Sequence, residues 1–277
     1  EILDQIIISN SANSEVMVID HGATFIAGDP DKSIALAAGD DGDFVYRWGN
    51  PCAHDAGDCP SVTNEGQSSI NGHQQIFFTH DVQWIREKEV TPMKGELPGA
   101  GNFLIFDNGS RRLGNTYSSV LEVNPYKGTM EEGEYVSQMD DGYDDSPQRG
   151  PNVGHNISKQ IVWNYSGALP NSFYSDYISG AQRMPNGNTV INSGAHGHFF
   201  EVTPDKEVVW EYINPVGNRT GDEYGIYTIM TDEVADHFNS AFRIARYAPD
   251  YLGLSGKDLT PLGKITELHT AEQARPN

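Results

Sequence analysis

Short apolar runs alternate with turn signals along almost the whole chain. From Arg183 to Pro215 the sequence reads RMPNGNTVINSGAHGHFFEVTPDKEVVWEYINP. Two turns, PNGN and TPDK, separate three runs rich in β-branched and aromatic residues. Period-two alternation bounded by Gly, Pro, Asn and Asp predicts strands joined by tight turns. The stretch therefore reads as a β-meander, which needs a second layer to cover its apolar face.

The pattern recurs. KQIVWNYSGALP (Lys159–Pro170) parallels KEVVWEYINP (Lys206–Pro215), and GDFVYRWGNP (Gly42–Pro51) is a looser third copy. Before each full copy comes a Gly-Asn strand and then a strand ending in Glu-Val. Upstream of each lies one further strand, HDVQWI (His80–Ile85) or SGAQRMP (Ser179–Pro185). Four-stranded repeats of roughly 40–50 residues predict β-propeller blades. The expected fold is all-β, a single propeller portion across residues 1–277. It comprises a partial blade at 1–51, full blades at 80–167 and 178–215, and a closing strand with C-terminal tail at 240–277. Ile2–Ser9, Glu15–Asp20 and Phe44–Trp48 supply the last three strands of the partial blade, and Ser240–Pro249 a first strand without followers. That makes about three blades, whereas a closed ring needs at least four. An N-terminal propeller segment or a second chain is therefore expected to complete the ring.

Composition agrees with a turn-rich globular protein: 37% hydrophobic, 10% aromatic, with 29 glycines and 15 prolines. The net charge of −21 repels nucleic acid and anionic membrane, and the simplest reading is a solvated acidic coat. No apolar run approaches the roughly 20 residues that span a bilayer. The chain shows no signal peptide and opens at Glu1 rather than Met, which suggests a processed or partial chain. Cys52 and Cys59, in NPCAHDAGDCPS, can close a short loop as a disulfide, which would place the protein outside the cytosol. The alternative is a metal pair with His54 between them, although no second cysteine pair exists to finish a zinc site. Sequons at Asn108, Asn156, Asn164 and Asn218 leave glycosylation open.

Candidate chemistry lies on the strands predicted to line a central channel. His80, Asp81 and Gln83 belong to the first such strand, Ser179, Gln182 and Arg183 to the second, and Arg243 to the last. Alternation points His80 and Asp81 to opposite faces. A histidine near an aspartate and an arginine can act as nucleophile or acid/base on an anionic group, with the arginine neutralising its charge. The competing reading is a His and an Asp satisfied by backbone inside the channel. His196 and His198 form H-x-H beside a turn with no carboxylate at a fitting spacing, so a solvent-facing turn is expected rather than a metal site. DDGYDD (Asp140–Asp145) has a calcium-like composition but lacks the order of a calcium loop. Phosphate-loop, dinucleotide and G-x-S-x-G motifs are absent, and no cofactor is implied.

THDVQWI, LPGAGNFLIFDNG, YSSVLEV, FYSDYISGAQRMPNGNTVI, HFFEVTPDKEVVWEY and FRIARYAPDYLGLSGKDLTP together resemble the arylsulfotransferase family, over most of Glu15–Pro261. That family holds the arylsulfate sulfotransferases that use no nucleotide sulfate donor. The resemblance implies a six-bladed propeller, secreted or periplasmic. It also implies transfer of sulfate from an aryl sulfate to a phenolic acceptor through a sulfated channel histidine. Matched residue by residue, His80 is the counterpart of that catalytic histidine. Arg183 or Arg243 would bind sulfate, with Gln182 and Asp81 beside them. The second inner strand, SGAQR, departs from the pattern by carrying no histidine. The alternative function is a noncatalytic extracellular propeller used for ligand binding or assembly.

Overall fold

Three principal antiparallel sheets form from the short apolar runs. The computed structural model describes residues 4–39, 44–61, 71–86, 97–114, 116–126, 135–144, 157–169, 172–218, 227–229, 239–247, 251–261 and 263. In chain order the elements begin with β1 (Gln5–Asn10), β2 (Glu15–Asp20), α1 (His21–Thr24), α2 (Pro30–Ala37) and β3 (Phe44–Trp48). Next come β4 (Thr79–Trp84), β5 (Phe103–Asp107), β6 (Ser119–Val123), α3 (Gln138–Asp141), β7 (Tyr143–Asp144), β8 (Ile157–Ser158) and β9 (Ile161–Tyr165). The last are β10 (Gly180–Arg183), β11 (Thr189–Ser193), β12 (His198–Val202), β13 (Val208–Ile213), β14 (Val216–Asn218) and β15 (Tyr227–Ile229). The principal sheets are β1-β2-β3, β4-β5-β6-β9 and β10-β11-β12-β13, with small pairs β7-β8 and β14-β15.

The middle sheet is buried on both faces, which explains the unbroken apolar run Phe103-Leu104-Ile105-Phe106. Phe103 and Ile105 pack with Val16, Val18, Tyr46 and Trp48 of the first sheet. Leu104 and Phe106 face the other way, onto Ile191, Phe200 and Val202 of the third. Each fully buried side chain of this size contributes roughly 1.5–3 kcal/mol.

The three sheets share a bulge at the same step of the pairing with their outermost strand, after Val18, Glu122 and Glu201. Opposite these residues stand Tyr46, Trp163 and Trp210 of the outer strands. At the first seam the set is apolar, with Val18 and Tyr46 in the core and Trp84 packed against it. At the second, Arg183 of β10 reaches Glu122 at 2.6 Å, and Asn102 donates to the other carboxylate oxygen at 2.6 Å. The Arg183 guanidinium also lies 5.4 Å from the Trp163 ring centre. At the third, Asn188 donates to Glu201 at 2.6 Å and Arg246 pairs with it at 3.7 Å. One repeat position thus carries either an apolar contact or an Asn–Glu–Arg staple between a sheet and the chain that follows.

The expected strands of the three principal sheets appear within a residue or two, except that β1 runs Gln5–Asn10, residues 1–3 lying outside the described ones, and the short pairs β7-β8 and β14-β15 are additional. Residues 239–247 form no strand. They lie beside β10 and β11, held by side chains instead of a main-chain ladder. The Gln182 amide bonds both the carbonyl (3.1 Å) and the N–H (2.8 Å) of Arg246, and Asn192 donates to the carbonyls of Ala241 and Phe242. The helices α1 and α2 were not expected. Asp29 caps α2 by accepting from the Lys32 N–H at 3.0 Å, and Pro30 occupies its first turn. No residue of α2 is buried, so no apolar stripe announces it.

Cys52 and Cys59 form a disulfide, which excludes the metal-pair alternative; His54 bonds the buried Glu15 carboxylate at 3.1 Å. Asn108 is fully buried, so that sequon cannot accept a glycan. Asn156 lies outside the described residues. Among the described residues no helix is long and apolar enough to cross a membrane.

The staple generates a stability test. Glu122 and Arg183 side chains are each 8% exposed. Glu122→Gln strands a buried guanidinium and should cost about 3–5 kcal/mol in urea unfolding, while Glu122→Leu with Arg183→Met should be near neutral. A single variant that unfolds at the wild-type midpoint would show that the pair does not bind the seam.

Candidate functional site

The inner strands β4 and β10 and the segment 243–247 enclose a cleft of about 490 Å³. Its polar side chains include Asp81, Gln83, Gln182 and Arg243, and Trp84 and Tyr247 add aromatic surface. Of the residues singled out from sequence, Asp81, Gln83, Gln182, Arg183 and Arg243 therefore meet at one place.

A β-bulge builds the centre of this site. His80 pairs with Phe106 and Gln83 with Leu104, so Asp81 and Val82 oppose the single residue Ile105. Asp81 absorbs the extra residue at φ 48°, in the left-handed region that an aspartate tolerates better than most side chains. The bulge breaks the simple alternation and turns the Asp81 carboxylate toward β10. There it accepts the Ala181 N–H at 3.2 Å, meets Gln83 Nε2 at 3.4 Å and pairs with Arg243. Gly180 makes the approach possible, because a Cβ at that position would run into the carboxylate. Gln83 also donates to the Ala181 carbonyl, tying the two inner strands together.

Burial raises the Asp81 pKa above the usual aspartate value, opposed by Arg243, the Ala181 N–H and His80. The same cause raises that of Asp107 in the β5 turn, where Arg112 opposes it. Exposure separates the two cleft arginines. Arg243 has a side chain 60% exposed and retains N–H groups beyond its bond to Asp81. Arg183 is committed to the buried staple with Glu122.

His80 sits just before the bulge and is not part of the cleft wall. Its Nδ1 lies 2.6 Å from Asn108 Oδ1, and Phe78 meets its ring edge-on at 5.3 Å. Ser179 bonds Ser175 and is buried away from the cleft. His196 ends a short 3-10 turn and is exposed, while His198 opens β12 and contacts Glu211 at 3.2 Å. Asp140 and Asp141 form α3, and Asp145 lies outside the described residues. Among the described residues no group of three His, Cys, Asp or Glu side chains could hold a metal ion.

Sequence reasoning missed Asn108, Trp84 and Tyr247. The sequence marks Asn108 only as a sequon, and the fold aims its side chain at His80 on β4. Trp84 and Tyr247 looked like ordinary strand aromatics.

No protein-family model matches the chain, and no curated protein sequence does. A protein of unknown function from Bacteroides caccae, solved by crystallography, is similar at 10% identity and a TM-score of 0.28. The match covers 76% of this chain and 57% of that one. So weak a likeness carries no argument about fold or activity.

Asp81 generates a pH prediction. Its folded carboxyl keeps its proton above the pH where an unfolded aspartate has released it, so the native state binds more protons in that window. Stability contributed at this residue therefore falls as pH rises from the ordinary aspartate value through the raised one. Asp81→Asn tolerates the left-handed backbone and removes the titration. Urea unfolding from about pH 4 to about pH 7 should show wild type losing stability relative to Asp81→Asn as pH rises. A pH-independent difference would refute the assignment.

Proposed function

We propose that the chain is a propeller portion of an arylsulfotransferase-like enzyme, moving a sulfuryl group from an aryl sulfate to a phenolic acceptor through His80. The observation that supports this reading is the β4 bulge: it directly follows His80, and its Asp81 holds an exposed, partly uncommitted guanidinium in a cleft lined by Trp84 and Tyr247. With Nδ1 engaged by Asn108, Nε2 is the reacting atom. Its electron pair forms an N–S bond as the S–O bond to the aryl group breaks, and the departing phenolate takes a proton from solvent. A phenolic oxygen then attacks the same sulfur, loses its proton to solvent, and the N–S bond returns its electron pair to Nε2. Arg243 meets the sulfuryl oxygens, and Trp84 and Tyr247 line the space for the aromatic ring.

A second reading has its own support. Arg243 is already paired with Asp81, and Arg183 with Glu122. Carboxylates that hold both cleft arginines favour a noncatalytic extracellular propeller for ligand binding or assembly. For either reading we propose a secreted or periplasmic location, which the disulfide supports.

Aryl sulfate and a phenol incubated with the protein should yield transfer that His80→Ala lowers by about 10³-fold or more. Full transfer in that variant would remove His80 from the chemistry. Aryl sulfate binding that depends on Arg243, with no transfer from wild type to any phenol, would leave the binding reading.

The same proposal extends to the ring. Trp163 and Tyr165 of β9 pack against the third sheet and its staple, whereas the corresponding Trp210 and Tyr212 of β13 are 48% and 44% exposed. A further propeller segment or a second chain covers that face. The native particle should exceed the 30.5 kDa of one chain in light scattering. A monodisperse 30.5 kDa particle with a closed ring would defeat this part.

A further inference from the structure

We propose that Asn108 is a positioning residue that holds His80 in one tautomer, with the proton on Nδ1 and the lone pair on Nε2. Its functional meaning rests on the sulfuryl-transfer reading; the tautomer itself does not.

The Asn108 side-chain amide is fully buried. Its Nδ2 donates to two main-chain carbonyls, Ser175 O at 2.7 Å and Ile178 O at 2.9 Å. A flipped amide would set its oxygen against both carbonyl oxygens, three acceptors with no proton among them. The orientation is thereby fixed, and Oδ1 must face His80. At 2.6 Å from Nδ1, that oxygen can only accept. Nδ1 must carry the hydrogen, and the neutral ring then keeps its lone pair on Nε2.

The surrounding backbone is shaped to hold the amide. Ile178, whose carbonyl Asn108 bonds, has φ 48°, and Ser179 follows at 87°. A β-branched residue in the left-handed region is rarely tolerated, and such strain persists only where neighbouring contacts over-determine it. Here the Asn108 bond to Ile178 and buried Ser179 bonds to Ser175 Oγ (2.9 Å) and the Gly194 N–H (2.9 Å) supply those contacts. Ser118 Oγ closes the arrangement by donating to the Asn108 carbonyl at 2.8 Å. Phe78, at φ 60°, walls the imidazole on another side.

The consequence is chemical. A nucleophilic imidazole needs its lone pair on the attacking nitrogen, and an unconstrained neutral ring favours the opposite tautomer, with its proton on Nε2. The neutral amide selects the reactive form without placing a negative charge against the ring, where it would oppose an approaching sulfate.

The test uses the full chain with nitrogen-15-labelled histidine, and the His80 signals are identified by their loss in His80→Gln. At a pH where the ring is neutral, long-range proton–nitrogen spectra should show Nδ1 protonated and Nε2 unprotonated. A protonated Nε2, or a mixture of tautomers, would overturn the proposal. Asn108→Ala should release the tautomer to a mixture. In the aryl sulfate assay Asn108→Ala should lower kcat about 10²-fold with KM within about twofold. Retention of a single Nδ1–H form in Asn108→Ala would show that Asn108 is not its cause. If wild type transfers no sulfate, the functional reading fails, while the spectra still decide the tautomer.

Discussion

A buried carboxylate at a sheet seam governs the arrangement around the cleft. Glu122 sits on the third strand of the middle sheet at 6% exposure, a position where an unpaired charge would cost several kcal/mol. Arg183 comes from the next sheet and Asn102 from the turn before β5, so the carboxylate is satisfied only when the two sheets are docked in one register. Apolar packing between the sheets is non-directional and would tolerate sliding. The charged contact would not.

That register carries through to the site. Arg183 ends β10, and Ala181, two residues earlier, presents its N–H to Asp81. Fixing one end of a four-residue strand with an ion pair therefore fixes where Asp81 finds its partners. The same device is repeated one unit on, where Glu201 accepts from Asn188 and pairs with Arg246. Arg246 in turn holds the segment that carries Arg243 to the cleft. The two staples thus locate both arginines: one consumed by the seam, the other left at the mouth.

The repeat made much of the fold legible from sequence. Glu15–Asp20 and Phe44–Trp48 coincide with the observed strands because each is a short run rich in β-branched, aromatic or other apolar residues. Phe103–Asp107 was equally visible as an apolar run before Asp-Asn-Gly. The candidate site was legible only in part. Asp81, Gln182 and Arg243 could be named because inner-strand polar residues stand out against apolar neighbours. The bulge that aims Asp81 could not, since it is a fact of pairing between β4 and β5 and leaves no mark on β4 alone. Asn108 was hidden for a different reason. Its partners Ser175 and Ile178 are main-chain carbonyls more than sixty residues away, and a carbonyl has no sequence signature. Residues 239–247 misled in the opposite sense, because they read as a strand while Gln182 and Asn192 side chains provide the bonds a strand would have made.

The net charge of −21 places a constraint on any function that uses an anion. At long range such a surface repels a sulfate ester, so encounter gains nothing from electrostatic steering and improves as salt screens the field beyond roughly 10 Å. Recognition must then come from groups in direct contact. Arg243 is suited to this, because its bond to Asp81 orients the guanidinium while leaving other N–H groups pointing outward. Asp81 is costly to keep charged, which burial alone ensures, and that cost is offset by the arginine it holds. A carboxylate so placed sets the strength with which Arg243 can grip a second anion. Without it the guanidinium would be mobile and well hydrated. With it, the group is ordered but partly neutralised, which favours reversible rather than tight binding of an anion.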